Sequence, residues 1–111
     1  MSAAESSTSP STSALFAALG DPVRLQLVTR LAGGASLSIT QMANGLPISR
    51  QAVTKHLRVL QSSGLVVGQS SGREQRFAIV PARIGEARDY LDDIAAQWDA
   101  ALGRLRDFVE R

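Results

Sequence analysis

Residues 49–60 read SRQAVTKHLRVL, and the spacing of three aliphatic side chains in this stretch decides the fold. Val53, Leu57 and Leu60 fall at i, i+4 and i+7, the period of one buried helical face. Ser49 stands just before them, where a side-chain oxygen accepts from a free N–H of the first turn, and Ser63-Gly64 ends the run. With the aliphatic residues inward, Gln51, Thr54, Lys55 and Arg58 point the opposite way, and Arg50 projects from the helix start. A capped helix with a polar, basic outer face is suited to enter the major groove of a nucleic acid duplex, N-terminus first.

Working upstream, Ser38 is an N-cap for a helix in which Ile39, Met42, Ala43 and Leu46 fall at i, i+3, i+4 and i+7. Asn44-Gly45 and Pro47 break it with a tight turn, so the two helices form a helix-turn-helix. Before it, Asp21-Pro22 starts a helix with Val23, Leu27 and Leu31 on one face, ended by Gly33-Gly34. Leu37 reads as a short strand or an extended link. Leu15, Phe16 and Leu19 make a short first helix closed by Gly20. Residues 1–13 hold six Ser and two Thr and no large apolar side chain except Met1, which predicts a disordered tail.

Downstream, Leu65-Val66-Val67 and residues 76–80 read as strands joined by the turn-rich segment 68–73, a β-hairpin that supplies a wing. Pro81 ends the second strand and opens the last helix, about residues 82–110. The expected fold is mainly α with a small β-hairpin wing, in the order α-α-α-α-β-β-α: one winged helix-turn-helix domain over residues 14–111.

The last helix is the clearest periodic signal. Ile84, Ala87, Leu91, Ile94, Trp98, Ala101, Leu105 and Phe108 alternate steps of three and four, a heptad seam, and Ala95, Leu102 and Val109 widen it. From Ile84 to Phe108 such a helix runs about 37 Å, more than a small domain can cover. The expectation is a homodimer whose interface draws on Leu15, Phe16, Leu19, Leu91, Ile94, Trp98, Leu102, Leu105 and Phe108.

Charge points to the partner. Between Pro22 and Gly85 lie eight basic residues (Arg24, Arg30, Arg50, Lys55, Arg58, Arg73, Arg76 and Arg83) against one acid, Glu74, a net +7 inside a chain whose formal charge is +2. That is the field of a domain that meets a polyanion, here double-stranded DNA. Arg50 can fork onto guanine O6 and N7, and Gln51 onto adenine. Thr54 suits a thymine methyl or a phosphate, Lys55 and Arg58 suit phosphates, and Ser49 joins the DNA-binding set because free N–H groups beside its cap can receive a phosphate. His56 sits at the edge of the apolar face, a structural histidine or a phosphate ligand. In the wing, Arg73 and Arg76 are placed to reach the minor groove or clamp the backbone. Arg24 is a weaker candidate that could instead pair with a carboxylate, and Arg30 is another.

The 111-residue chain has no cysteine, one histidine, no Gly-rich phosphate loop and no acid–base pair in a recognisable context. No catalytic residue, metal site or cofactor is expected. No apolar run is long enough for a membrane span, and there is no secretory leader, so the expected location is the cytoplasm.

The run 18–25 (ALGDPVRL), the run 49–60 and Gly64-Leu65-Val66 together resemble the arsenic-repressor (ArsR) family of bacterial regulators, and Gly72-Arg73 before Arg76-Phe77 is similar to that family's wing. The resemblance spans about residues 14–110. It implies a dimeric winged helix, joined through its first and last helices and bound to a partly palindromic operator near its own promoter. Many relatives release DNA on binding metal through a pair of cysteines in the third helix, or through Asp and His on the last. Here Ser38 and Thr40 occupy the cysteine positions and the last helix has no His. The chain looks like a metal-independent branch, with any small-molecule inducer unidentified. Competing readings are a winged helix that binds protein, and a weakly specific architectural DNA binder.

Overall fold

The structure, a computed structural model, describes residues 10–111. Its elements run α1 (Thr12–Leu19), α2 (Pro22–Leu31), β1 (Leu37–Ser38), α3 (Ile39–Ala43), α4 (Arg50–Ser62), β2 (Val66–Ser71), β3 (Glu74–Ile79) and α5 (Pro81–Val109). Local chemistry sets most of these boundaries. Asp21 Oδ2 accepts from the N–H groups of Val23 and Arg24, at 2.9 and 3.0 Å. These bonds, first that from Arg24, hold its carboxyl below the usual range against the opposing effect of burial. Ser38 and Gln41 form a reciprocal capping box on α3. The Ser49 hydroxyl accepts from Ala52 N at 3.1 Å, a cap worth about 1 kcal/mol.

The far end of α4 is closed as firmly. Gly64 takes φ +82°, Leu65 N donates to Leu60 O and Gly64 N to Gln61 O, while the Leu60 and Leu65 side chains are both buried. This is the Schellman arrangement, and a side chain at position 64 would be strained there. Val53, Leu57 and Leu60 meet Leu27 and Leu31 of α2, Met42 of α3 and Phe77 of β3 in one core. The second helix of the motif is therefore held rigidly by its apolar face while the other face stays open.

Several expectations change. Ser11 caps α1 and residues 12 and 13 are helical, so the reading of 1–13 as a tail fails at its end; residues 1–9 lie outside the described residues. Helix α3 stops at Ala43, because Gly45 turns the chain at φ +80°; Leu46 still packs on the core from outside the helix. The hairpin is longer than expected. Its strands run to Ser71 and from Glu74, leaving a two-residue turn with Gly72 first at φ +64°, as a type II′ hairpin requires. Segment 68–71 is thus strand, extended by ladder pairing that its Gly-Gln-Ser-Ser composition did not advertise. Leu37-Ser38 does pair, antiparallel to β3, giving a three-stranded sheet in the order β1-β3-β2.

Leu15, expected at the interface, is fully buried in the chain's own core and offers no surface to a partner; Phe16 and Leu19 are half-buried against that core. Phe16 also packs on Tyr90 of α5, ring centroids 5.6 Å apart. Beyond its first turns α5 leaves the domain. Leu91, Trp98, Leu102, Leu105, Phe108 and Val109 are exposed along it, and Ile94 is half-buried. Among the described residues no helix is long and apolar enough to cross a membrane.

Candidate nucleic-acid interface

The open face of α4 carries Arg50, Gln51, Lys55 and Arg58, all exposed, with Thr54 half-buried between them. Arg50 is the first helical residue, so its guanidinium leads the helix. Arg50, Lys55 and Arg58 enter no ion pair among the described residues, which leaves their charge available to a phosphate or a base edge. Thr54 Oγ1 donates to Arg50 O at 2.9 Å. Its one proton is committed to the helix, so its methyl and a lone pair face outward: a thymine methyl suits it, and a phosphate oxygen, itself only an acceptor, does not. Ser49 is similarly committed as a cap.

His56 is tied to the scaffold through one ring nitrogen. Its Nδ1 is placed to accept from Arg24 Nη1 at 3.3 Å and lies 3.7 Å from Asp21 Oδ2, on the flank of α4 that packs toward the start of α2. Among the described residues Arg24 makes no direct ion pair, and its charge acts on the Asp21 carboxylate only at longer range. Its Nε and Nη2 donate to the carbonyls of Ala18 (2.8 Å) and Ala17 (3.4 Å), satisfying the open end of α1. Arg30 does the same for α3, with Nη1 donating to Met42 O at 3.0 Å and also to Asn44 O. Arg83, only 7% exposed, is wholly engaged inside the fold. Arg24, Arg30 and Arg83 therefore spend their donors largely on carbonyl groups, and Arg50, Lys55, Arg58 and Arg73 are the central basic residues whose side chains make no hydrogen bond or ion pair among the described residues.

The wing divides its two arginines. Arg73 is exposed at the turn. Arg76 lies within β3, in the strand expected for it, where its Nη1 donates to Ser36 O at 2.8 Å and its Nε to Glu74 Oε1 at 3.0 Å. It ties the wing to the segment before β1 and keeps only part of its guanidinium for a ligand. Arg73→Ala is accordingly expected to lower the slope of log affinity against log salt by up to about one unit. Arg76→Ala should change that slope less. Equal changes on the two substitutions, read from salt titrations on one DNA fragment, would contradict this division.

The fold also assembles a recess that local patterns did not reveal. Arg50 from the start of α4 and Arg73, Glu74 and Gln75 from the wing line a concavity of about 330 Å³ with Ile39 and Thr40 of α3. Thr40 and Gln75 are exposed at its edge, polar groups next to the leading arginine. No periodicity marks them, because their neighbourhood is made by strand pairing between distant segments.

Comparison with known proteins agrees with this architecture. A family profile described as a helix-turn-helix domain matches residues 19–69. The HTH-type transcriptional regulator Rv2034 of Mycobacterium tuberculosis is 35% identical over 93 residues, covering 84% of this chain and 83% of that protein. A solved ArsR-like transcriptional regulator from Rhodococcus sp. RHA1 superposes with a TM-score of 0.74 at 38% identity, covering 86% of this chain and 90% of the other. The homodimeric winged helix-turn-helix DNA-binding domain Mb0332 of Mycobacterium bovis shares the fold at 21% identity and a TM-score of 0.61, over 77% of this chain and 78% of that one. A capped helix with a basic outer face, a hairpin wing and these relatives have one reading: the chain belongs to the ArsR family of DNA-binding, helix-turn-helix transcriptional regulators.

Proposed function

We propose that two copies of this chain pair through the exposed strip of α5, set their α4 helices into successive major grooves of a partly palindromic operator, and repress transcription from it in the cytoplasm. The observation that carries this reading is the division of α4, with Val53, Leu57 and Leu60 buried and Arg50, Gln51, Lys55 and Arg58 exposed. The exposed apolar residues of α5 support the pairing, since a strip of that length is a liability on a lone molecule. Arg50 and Gln51 read bases; Lys55, Arg58 and Arg73 hold phosphates; Thr54 meets a thymine methyl. The protein acts by occupancy rather than catalysis. It does not sense metal at the third helix, where Ser38, in place of a thiolate, spends its hydroxyl on Gln41 N.

Selecting bound fragments from the source genome identifies the operator, and Arg50→Ala then tests the reading. The substitution should cost about 1–3 kcal/mol on the operator and relax one base preference, with little loss on random DNA. Equal losses on both DNAs would reassign Arg50 to a phosphate. No preference of the unaltered protein for any fragment would remove the repressor reading.

A further inference from the structure

On another side of the domain a cleft of about 610 Å³ opens between α2, β3 and the first turns of α5. Val28 and Ala32 of α2, Ile79 of β3, and Pro81 and Ile84 at the start of α5 form apolar walls, and Arg88 stands at the rim. The volume falls within the roughly 300–1,000 Å³ of small-molecule sites. Gly34 and Gly85 also line the cleft, and a Cβ placed on either would meet nothing within 4 Å. Arg88 is free to turn inward, since its one ion pair among the described residues is an exposed contact to Asp89, Nε to Oδ1 at 3.7 Å, of a kind worth little.

We propose that this cleft binds a small amphipathic carboxylate, with its hydrocarbon body against Val28, Ile79 and Ile84 and its carboxylate on the Arg88 guanidinium, and that occupancy changes DNA binding. Apolar walls with a single cation at the mouth complement a ligand with one anionic end, and a guanidinium matches a carboxylate in a two-pronged geometry. A helix of a second copy is a poor occupant. With side chains it is about 10–12 Å across, too broad to seat in a cleft of about 610 Å³ bounded by three elements of one chain. The place of the cleft supplies the coupling: α2 packs beneath α4, β3 is the inner strand of the wing, and α5 carries the strip proposed to pair the copies. A ligand seated among all three favours whichever arrangement fits it best. This regulatory half rests on the proposed DNA-binding role; the binding half does not.

The test titrates octanoate into the full chain without DNA, followed by the methyl resonances of Val28, Ile79 and Ile84, with octylamine as the cationic control of equal length. Saturable shifts at these methyls with octanoate, and none with octylamine, are expected. Arg88→Ala, at an exposed position, should weaken octanoate roughly tenfold. Gly85→Leu, which has room and a better helix former than Gly, should obstruct the cleft without unfolding the chain. Methyls that stay still in millimolar octanoate, binding indifferent to Arg88→Ala, or shifts centred on Trp98 would each overturn the proposal. Saturating octanoate should then change DNA affinity by at least about threefold. Binding without that change overturns the regulatory half, whereas a chain that binds octanoate and ignores all DNA counts against the DNA-binding reading instead.

Discussion

Placing aspartate at both Trp98 and Leu102 is expected to convert the protein to monomers and to lower its operator affinity by about a hundredfold or more. The two side chains are 63% and 54% exposed in the single chain, so the domain's own core gains and loses almost nothing by the change. Helix α5 keeps its backbone bonds, because neither residue caps it and Asp lowers helix propensity only modestly. A dimer interface is different. Facing copies would bring four carboxylates into an apolar seam, where each loses its hydration without a partner. Once pairing fails, the two α4 helices reach their half-sites independently, and the effective-concentration advantage of roughly 10²–10⁴ disappears. Sedimentation at micromolar chain concentration and an operator titration check the two halves. A variant that still sediments as a dimer, or a monomer that binds as tightly as before, would break the link between α5 and DNA recognition.

The second large effect concerns stability. Arg83→Met should destabilise the fold by about 2–4 kcal/mol, a fall of roughly 10 °C or more in the thermal midpoint at fixed chain concentration. The guanidinium is buried and makes four short contacts: Nε donates to Ser63 O at 2.9 Å, Nη2 to Pro10 O at 3.0 Å and to Ser11 O at 2.7 Å, and Nη1 to Glu86 Oε1 at 2.7 Å. It therefore joins the C-cap of α4, the lead-in to α1 and the start of α5 at one point. Replacing a buried ion pair by a hydrophobic side chain is often nearly neutral, because both charges can leave together. That escape is closed here. Three of the acceptors are backbone carbonyls, which no substitution at position 83 removes, and methionine fills the volume without supplying a donor. Arg83→Lys, with one nitrogen for acceptors on separate segments, should fall between. Denaturant unfolding with an unchanged slope but a lower midpoint would carry the result. A loss below about 0.5 kcal/mol would show that the carbonyls find other partners.

Arg83 also marks where sequence reading reached its limit. Ser38, Ser49 and Asp21 are caps in the structure as their positions implied, and Gly64 closes α4 as its place after Ser63 implied. The inward set of Val53, Leu57 and Leu60 and the outward set led by Arg50 both follow from helical period alone. Each of these features is settled within about four residues, by a hydrogen bond to a neighbouring turn or by the 3.6-residue repeat. They lie in the order of the side chains.

Where a long polar side chain ends is another matter. Arg24, Arg30 and Arg83 look in sequence like Arg50, Arg58 and Arg73, yet the first three close helix ends and loops as far as 73 residues away in the chain. Leu15 and Phe16 are adjacent apolar residues on one short helix, and only packing decides that the first is sealed in the core while the second reaches Tyr90. The hairpin's true length, the recess that joins Arg50 to Arg73, and the cleft behind the wing come from segments meeting across the sheet. The sequence by itself determined the elements, their caps and the face α4 leaves open, because those are short-range energies. Tertiary structure alone decided which cations remain free and which surfaces stay bare, because that depends on carbonyls and apolar faces supplied by distant parts of the chain.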